Sequence, residues 1–323
     1  MKFKPSNQSE RSCCGGTSDV NTAETISSLS EDLLLRHNGL LFGQCLTAVG
    51  WVGGTIPHLT EEQGIVELSM ADVAGGSIAV GAALSGRRVI YVVRYQGFMW
   101  YNAPSLVNYA AKSKDMWGIA CPLLVRAIAM DGHIGPVASS SHHSLVARMP
   151  GLTVASPMDG QEWREVFEWW LAHDDPVYVS ESRRSFSLTA APQQRARTNV
   201  DVVLIAIGAA RLTAEETAQR LEADGVSVAT FGILWIKPLV IPDWVRLAVS
   251  GAHATLVIDS DFEQCSVGMS VAYSLQHETG CRVDVLGLDE RSAGFSKETD
   301  NTTPSPQKIL SKIQQILSET VAS

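Results

Sequence analysis

No apolar run in the chain approaches the roughly 18–20 uninterrupted residues needed to cross a bilayer, so no membrane partner is expected. The six cysteines contain no C-x-x-C pair and are scattered over 323 residues, which excludes a disulfide framework and points to reduced thiols. Adjacent Cys13 and Cys14 lack the second pair a metal site would need. Positive charge is also short: 25 Lys and Arg stand against 34 Asp and Glu, for a net charge of −9. With no basic cluster interleaved with aromatics, a nucleic-acid partner is not expected. G-x-S-x-G, H-E-x-x-H, G-x-x-x-x-G-K and a helix-opening G-x-G-x-x-G are all missing, so the familiar hydrolase, zinc-protease, P-loop and dinucleotide readings fall away. The first thirty residues are rich in Ser, Asn, Thr and Gly, include Glu10 and Asp19, and hold no apolar signal core. They read as a flexible tail over 1–32 of a cytoplasmic protein.

What is present is the composition of a globular protein, 45% hydrophobic and 18% charged, long enough for two cores. From Leu40 onward the strand-length runs LLFGQCL, IVELSM, VIYVV, CPLLVRAIAM, LTVAS and PVYVSES are separated by helix-length segments such as FMWYNAPSLVNYAAKSKDMW and GQEWREVFEWWLAHD. Such alternation predicts an α/β fold with a parallel sheet, because parallel neighbours need a crossover. Polar SFSLTAAPQQRARTN, residues 185–199, breaks the pattern as a linker. It divides a domain at 33–184 from a smaller α/β domain at 200–323. In the latter, Thr213 and Glu216 have capping-box spacing, and Gly225 has the character of a helix stop.

Several residues of the first domain fall where strands end. Asp72 opens the small-residue run DVAGGSIAVGAALSG, Phe98 follows VIYVV, and His142 and His143 follow CPLLVRAIAM across a Ser-rich loop. In a parallel sheet all of these lie at the carboxyl edge, where open α/β sheets bind ligands. Each also has a plain structural explanation. An Asp before a helix is most often an N-cap, glycines serve close packing, a Phe belongs to a core, and a His pair in a polar loop is solvated. The residues alone predict an α/β protein with a crevice whose chemistry stays open.

The ordered series narrows it. ELSMADVAGGSIAVGAALSGRRVIYVVRYQGFMWYNAPSLVNYAAKSKDMWG, then HHSLVARMPGLTVASPMDGQEW, DPVYVSES, VLIAIGA, ILWIKPL and DSDFEQCSVGMSVAYSL resembles the beta subunit of the thiamin-diphosphate-dependent decarboxylating component of 2-oxoacid dehydrogenases. That family is of transketolase-like architecture. The likeness implies a parallel-sheet pyrimidine-binding domain followed by a smaller transketolase C-terminal domain. It further implies that Asp72 hydrogen-bonds the coenzyme's aminopyrimidine and activates it, and that Phe98 stacks on that ring. Met70, Arg94, Tyr101 and Gln44 would be its neighbours. His143, or alternatively His142, would handle protons. Asp72 stands where the family carries Glu, and the roughly 1.5 Å of lost reach would cost on the order of a hundredfold in rate unless the backbone moves closer.

This chain has no G-D-G of the kind that holds diphosphate and Mg2+ in the family. The resemblance therefore implies a separate alpha-type subunit carrying a GDG…N motif, an α2β2 assembly with self-association of the beta chain, a small 2-oxoacid or ketol substrate, and a lipoyl domain as acceptor. Trp163, Trp169 and Trp170 would serve that assembly or simply the core. Two alternatives stand beside this reading: a split transketolase-like or acyloin-forming carboligase, and a non-catalytic assembly partner.

Overall fold

The computed structural model describes residues 20–48 and 50–321. Among them, seven strands form the first sheet: β1 (Leu40–Gln44), β2 (Ile65–Leu68), β3 (Val89–Val93), β4 (Leu123–Ala129), β5 (Thr153–Ala155), β6 (Val177–Ser182) and β9 (Trp235–Lys237). Their order is β2-β1-β3-β4-β6-β5-β9, parallel throughout except for the antiparallel β5–β9 pair. Four more make a parallel second sheet in the order β11-β10-β7-β8: β7 (Val202–Ile207), β8 (Val228–Ile233), β10 (Ala254–Phe262) and β11 (Asp284–Leu288). The runs of β3, β4 and β6 are buried along their whole length, as expected for central parallel strands covered on both faces.

The alternation seen in the sequence is thus realised as two α/β halves. β9 is the exception, since it leaves the second half and completes the first sheet beside Val154 and Ala155. Arg211 of the second half and Glu162 of the first close a buried bidentate pair, both bonds at 2.8 Å, tying the halves together.

Three local expectations change. The predicted tail over 1–32 gives way from Thr22, where helix Thr22–Arg36 begins and buries Ile26, Leu33 and Leu34; residues 1–19, with Cys13 and Cys14, lie outside the described residues. The physical reason is a capping box, in which Asn21 Oδ1 accepts the Glu24 N–H at 3.0 Å and Glu24 accepts the Asn21 N–H at 3.1 Å. Thr213 is not a cap, because its helix already starts at Ala210 and its hydroxyl donates to the Ala210 carbonyl. Gly225 does follow the end of that helix, with φ +81°. Finally, FMWYNAPSLVNYAAKSKDMW is not one helix. Pro104, inside Met99–Ser105, has no N–H to donate, and the chain continues as a π-type turn over Leu106–Ala110 before helix Ser113–Trp117. Trp163 and Trp170 are core residues with no exposed surface, and among the described residues no helix is long and apolar enough to cross a membrane.

Candidate functional site

Because β1, β2, β3, β4 and β6 run parallel, their carboxyl ends share one edge. Asp72 opens helix Asp72–Leu84 just beyond β2, and Ala71, with no side chain to cap, holds the N-cap position. Its carboxylate makes no hydrogen bond with another described residue, so the capping role that the sequence alone favours is not the one adopted. Instead Asp72 lines an open cavity of about 520 Å³ with Ala71, Val73, Ala74, Ser77 and Tyr101.

Beneath this helix lies a polar pair. Tyr91 of β3 donates its Oη–H to Asn102 Oδ1 at 2.8 Å, and Asn102 Nδ2 donates back to the Phe98 carbonyl at 3.0 Å. Burial, reinforced by the negative charge of Asp72, raises the Tyr91 phenol well above its ordinary range. The glycines of the run explain how the helix fits over the pair. A Cβ on Gly75 would sit 2.9 Å from Tyr91 Oη, and one on Gly76 would sit 2.5 Å from Asn102 Oδ1.

The other sequence candidates separate into neighbouring positions. Tyr101 shares the Asp72 cavity, whereas Phe98 is half-buried against the core and meets the ring of Tyr95 edge-on at 5.6 Å. Met70, 81% exposed, precedes Asp72 on the surface. Gln44 ends β1 with a buried Nε2 that has no hydrogen-bond partner among the described residues. Arg94 lines a different cavity of about 120 Å³, with Val52, Gly53, Tyr95, Ile128, Met130 and Arg183. Arg94 lies over the ring of Tyr95 at 5.6 Å, and Arg183 donates to the Val52 carbonyl at 3.2 Å and lies over Phe186 at 4.6 Å. Neither guanidinium has a carboxylate within 4.0 Å among the described residues, and the two line the cavity together. Arg183 escaped the sequence reading; its signal is its place directly after a strand of the same edge.

The two histidines are also distinct. His143 is fully buried and bonded at both ring nitrogens, with Nδ1 3.2 Å from Ser180 Oγ and Nε2 2.9 Å from Asp259 Oδ1. Burial alone would lower its proton affinity, but the charge and hydrogen bond of Asp259, with Asp261 behind, outweigh it and raise the imidazole above its usual range. His142 is the half-buried member, with its Nε2 3.2 Å from Ser140 Oγ. It lines an apolar cavity of about 70 Å³ with Trp100, Leu145 and Met149, and burial pushes its imidazole down. Asp259 was invisible from sequence spacing, since it meets His143 only through the packing of the two halves, whereas Gln96, just beyond β3, and Ser180 of β6 reach the histidines from the first sheet.

This edge suits part of a pyrimidine coenzyme site. Among the described residues its carboxylate has no hydrogen-bond partner, its walls are small or aromatic, and a buried amide is orphaned at Gln44. Among the described residues, however, no group of three or more His, Cys, Asp or Glu is placed to hold a metal ion.

Comparison with known proteins agrees with this organisation. Residues 34–187 match the family described as transketolase, pyrimidine binding domain, and residues 193–309 match transketolase, C-terminal domain. The chain is 25% identical to the 2-oxoisovalerate dehydrogenase subunit beta of Bacillus subtilis, over 72% of this chain and 75% of that protein. It is 23% identical to the pyruvate dehydrogenase E1 component subunit beta of Staphylococcus epidermidis, over 77% and 82%. Among solved structures it shares its fold with a split gene transketolase described as an inactive beta4 tetramer (TM-score 0.69, 16% identity, 92% of this chain and 98% of that one). The same holds for transketolase from Campylobacter jejuni (TM-score 0.69, 17% identity, 91% and 46%). With both domain types matched in order over most of its length, this chain belongs to the transketolase-like, thiamin-diphosphate-dependent family.

Proposed function

We propose that the chain is the beta-type half of a thiamin-diphosphate enzyme that decarboxylates a small 2-oxoacid and passes on the acyl or ketol fragment, acting with a separate alpha-type subunit. The observation that carries this reading is the Asp72 carboxylate, free of its own helix and lining the cavity beside Tyr101. Asp72 would hold a ring nitrogen of the aminopyrimidine, with Tyr101 as the adjoining aromatic wall. When bound, the coenzyme supplies a carbon nucleophile for a ketone carbonyl.

This chain's own residues supply the rest of its share. Arg94 and Arg183 would hold the substrate's anionic group, since two guanidiniums lining one cavity favour a carboxylate. His142, kept predominantly neutral by its lowered proton affinity, would accept and return a proton at the cavity edge. Diphosphate and Mg2+ would be held by the alpha-type subunit. Its docking surface would be the apolar patch formed by Met70, Val73, Trp100, Tyr101 and Tyr109, each more than half exposed.

The test is calorimetry and turnover of the co-purified pair with thiamin diphosphate, Mg2+ and a series of 2-oxoacids, using an artificial electron acceptor. Asp72→Ala should lower turnover by about 10²–10⁴-fold, the range of positioned acid–base catalysis. Full turnover in that variant would overturn the proposal. A second reading, ketol transfer, would be distinguished by a new carbon–carbon bond formed with an aldehyde acceptor.

A further inference from the structure

We propose that Gln96, Ser180, His143 and Asp259 form a hydrogen-bonded chain through which the second half of the molecule positions His142 at the candidate site. The inference rests on the reading above only in giving His142 a chemical task.

The chain is continuous. The His142 backbone N–H donates to Gln96 Oε1 at 2.6 Å. Gln96 Nε2 donates to the Ala127 carbonyl at 3.0 Å and to Ser180 Oγ at 2.9 Å. Ser180 Oγ meets His143 Nδ1 at 3.2 Å, His143 Nε2 meets Asp259 Oδ1 at 2.9 Å, and Asp259 Oδ2 accepts the Gly268 N–H at 3.0 Å. Gln96, His143 and Asp259 have no exposed surface, so water does not compete for these bonds.

Each orientation is determined by its partners. Turning the Gln96 amide over would set its NH2 against the His142 N–H and its oxygen against the Ala127 carbonyl. His143 must donate from Nε2 to the carboxylate. Its Nδ1 then accepts from Ser180 when the ring is neutral and donates to it when charged, so the contact survives both states.

The same strand grips His142 a second time. β10 ends at Phe262, whose ring stacks on His142 at 6.0 Å and 26°, while Trp100 of the first half meets that imidazole at 6.5 Å and 62°. β10 therefore fixes His142 through its main chain, by way of Asp259, and through its ring, by way of Phe262. A contact serving only to join the two halves would need neither the Gln96 link nor an end point on a histidine that lines a cavity.

The test uses the full chain. Gln96→Met keeps length and burial but removes the acceptor, and Asp259→Asn removes the charge at the far end. Amide hydrogen exchange resolved at His142 should accelerate at least tenfold in both variants, while the other amides of helix His143–Ala147 change less. In complex with the alpha-type subunit, kcat should fall about tenfold to a hundredfold with KM held within twofold, as for a misplaced catalytic group. If His142 exchange is unchanged in Gln96→Met, or every interface amide accelerates equally while kcat stays constant, the inference is overturned. Should Asp259→Asn fail to fold, Gln96→Met decides alone. The exchange result stands whether or not any 2-oxoacid is consumed, so loss of the functional reading is recognised separately by His142→Ala retaining full turnover.

Discussion

Two substitutions of the same kind in one helix should have opposite signs. In helix Asp72–Leu84, Gly76→Ala places a Cβ 2.5 Å from Asn102 Oδ1 and 3.3 Å from its Cβ and Cγ. Asn102 is 2% exposed and pinned on two sides, by Tyr91 and by the Phe98 carbonyl, so it cannot swing into solvent. Moving it strips the buried Tyr91 hydroxyl of its acceptor, at about 1–3 kcal/mol, and overpacks the contact by about as much. The better helix propensity of Ala returns about 1 kcal/mol. The net expectation is a loss near 3 kcal/mol. Gly81→Ala meets nothing within 4 Å on the exposed side of the same helix and should gain about 0.5–1 kcal/mol. Denaturant unfolding followed by tryptophan fluorescence compares them directly. Replacing Asn102 by Ala in the Gly76→Ala background should recover part of the loss. Equal effects from the two glycines, or no recovery in the double variant, would refute the claim that Gly76 exists to admit Asn102.

Glu181→Gln leaves the fully buried Arg126, which also binds Thr55 Oγ1 at 2.9 Å, without its counter-charge and should cost about 3–5 kcal/mol; joint replacement by Met and Leu should cost far less in the same unfolding assay. His143 has a folded-state proton affinity raised above the ordinary 6.5, so its stabilisation is fully present below that pH and is lost as pH rises through the folded value. It is faced by Asp259, Asp261, His142 and Ser180, and unfolding midpoints measured from about pH 6 to 9 should fall in the native chain and flatten in His143→Gln; equal slopes would refute the assignment. Arg183→Met should raise KM for an anionic substrate about 10–100-fold, the loss of one charge-assisted contact, with a smaller effect on stability measured in parallel.

The strands were legible because VIYVV, LLVRAIA and VVLIAI are short apolar runs bounded by turn residues, and such runs have few other stable uses. The helix at Thr22–Arg36 was hidden by its serines and threonines, although the spacing of Asn21 and Glu24 announces it. The candidate site divided along the same line. Asp72 is legible as the residue that opens a helix after a strand, whereas Tyr101 was named only through the family resemblance; the fold sets both on one cavity. Phe98 and Arg94 were assigned to the coenzyme ring by the same resemblance; the turn Gln96–Phe98 sets the aromatic partly against the core, and the guanidinium lines another cavity. Asp259 lies 116 positions from His143, and no local pattern encodes a meeting that depends on how two sheets pack.

The crossing strand β9 has a practical corollary. Cutting the chain between residues 185 and 199 would not release two finished bodies. An isolated leading piece would present Thr153–Ala155 as a bare edge and uncover the apolar surface that Trp235 shields, a combination that invites pairing with another copy. Bringing both pieces together from separate genes should cover that edge again, so the border drawn by sequence is a place where the polypeptide can be interrupted but not where the molecule ends.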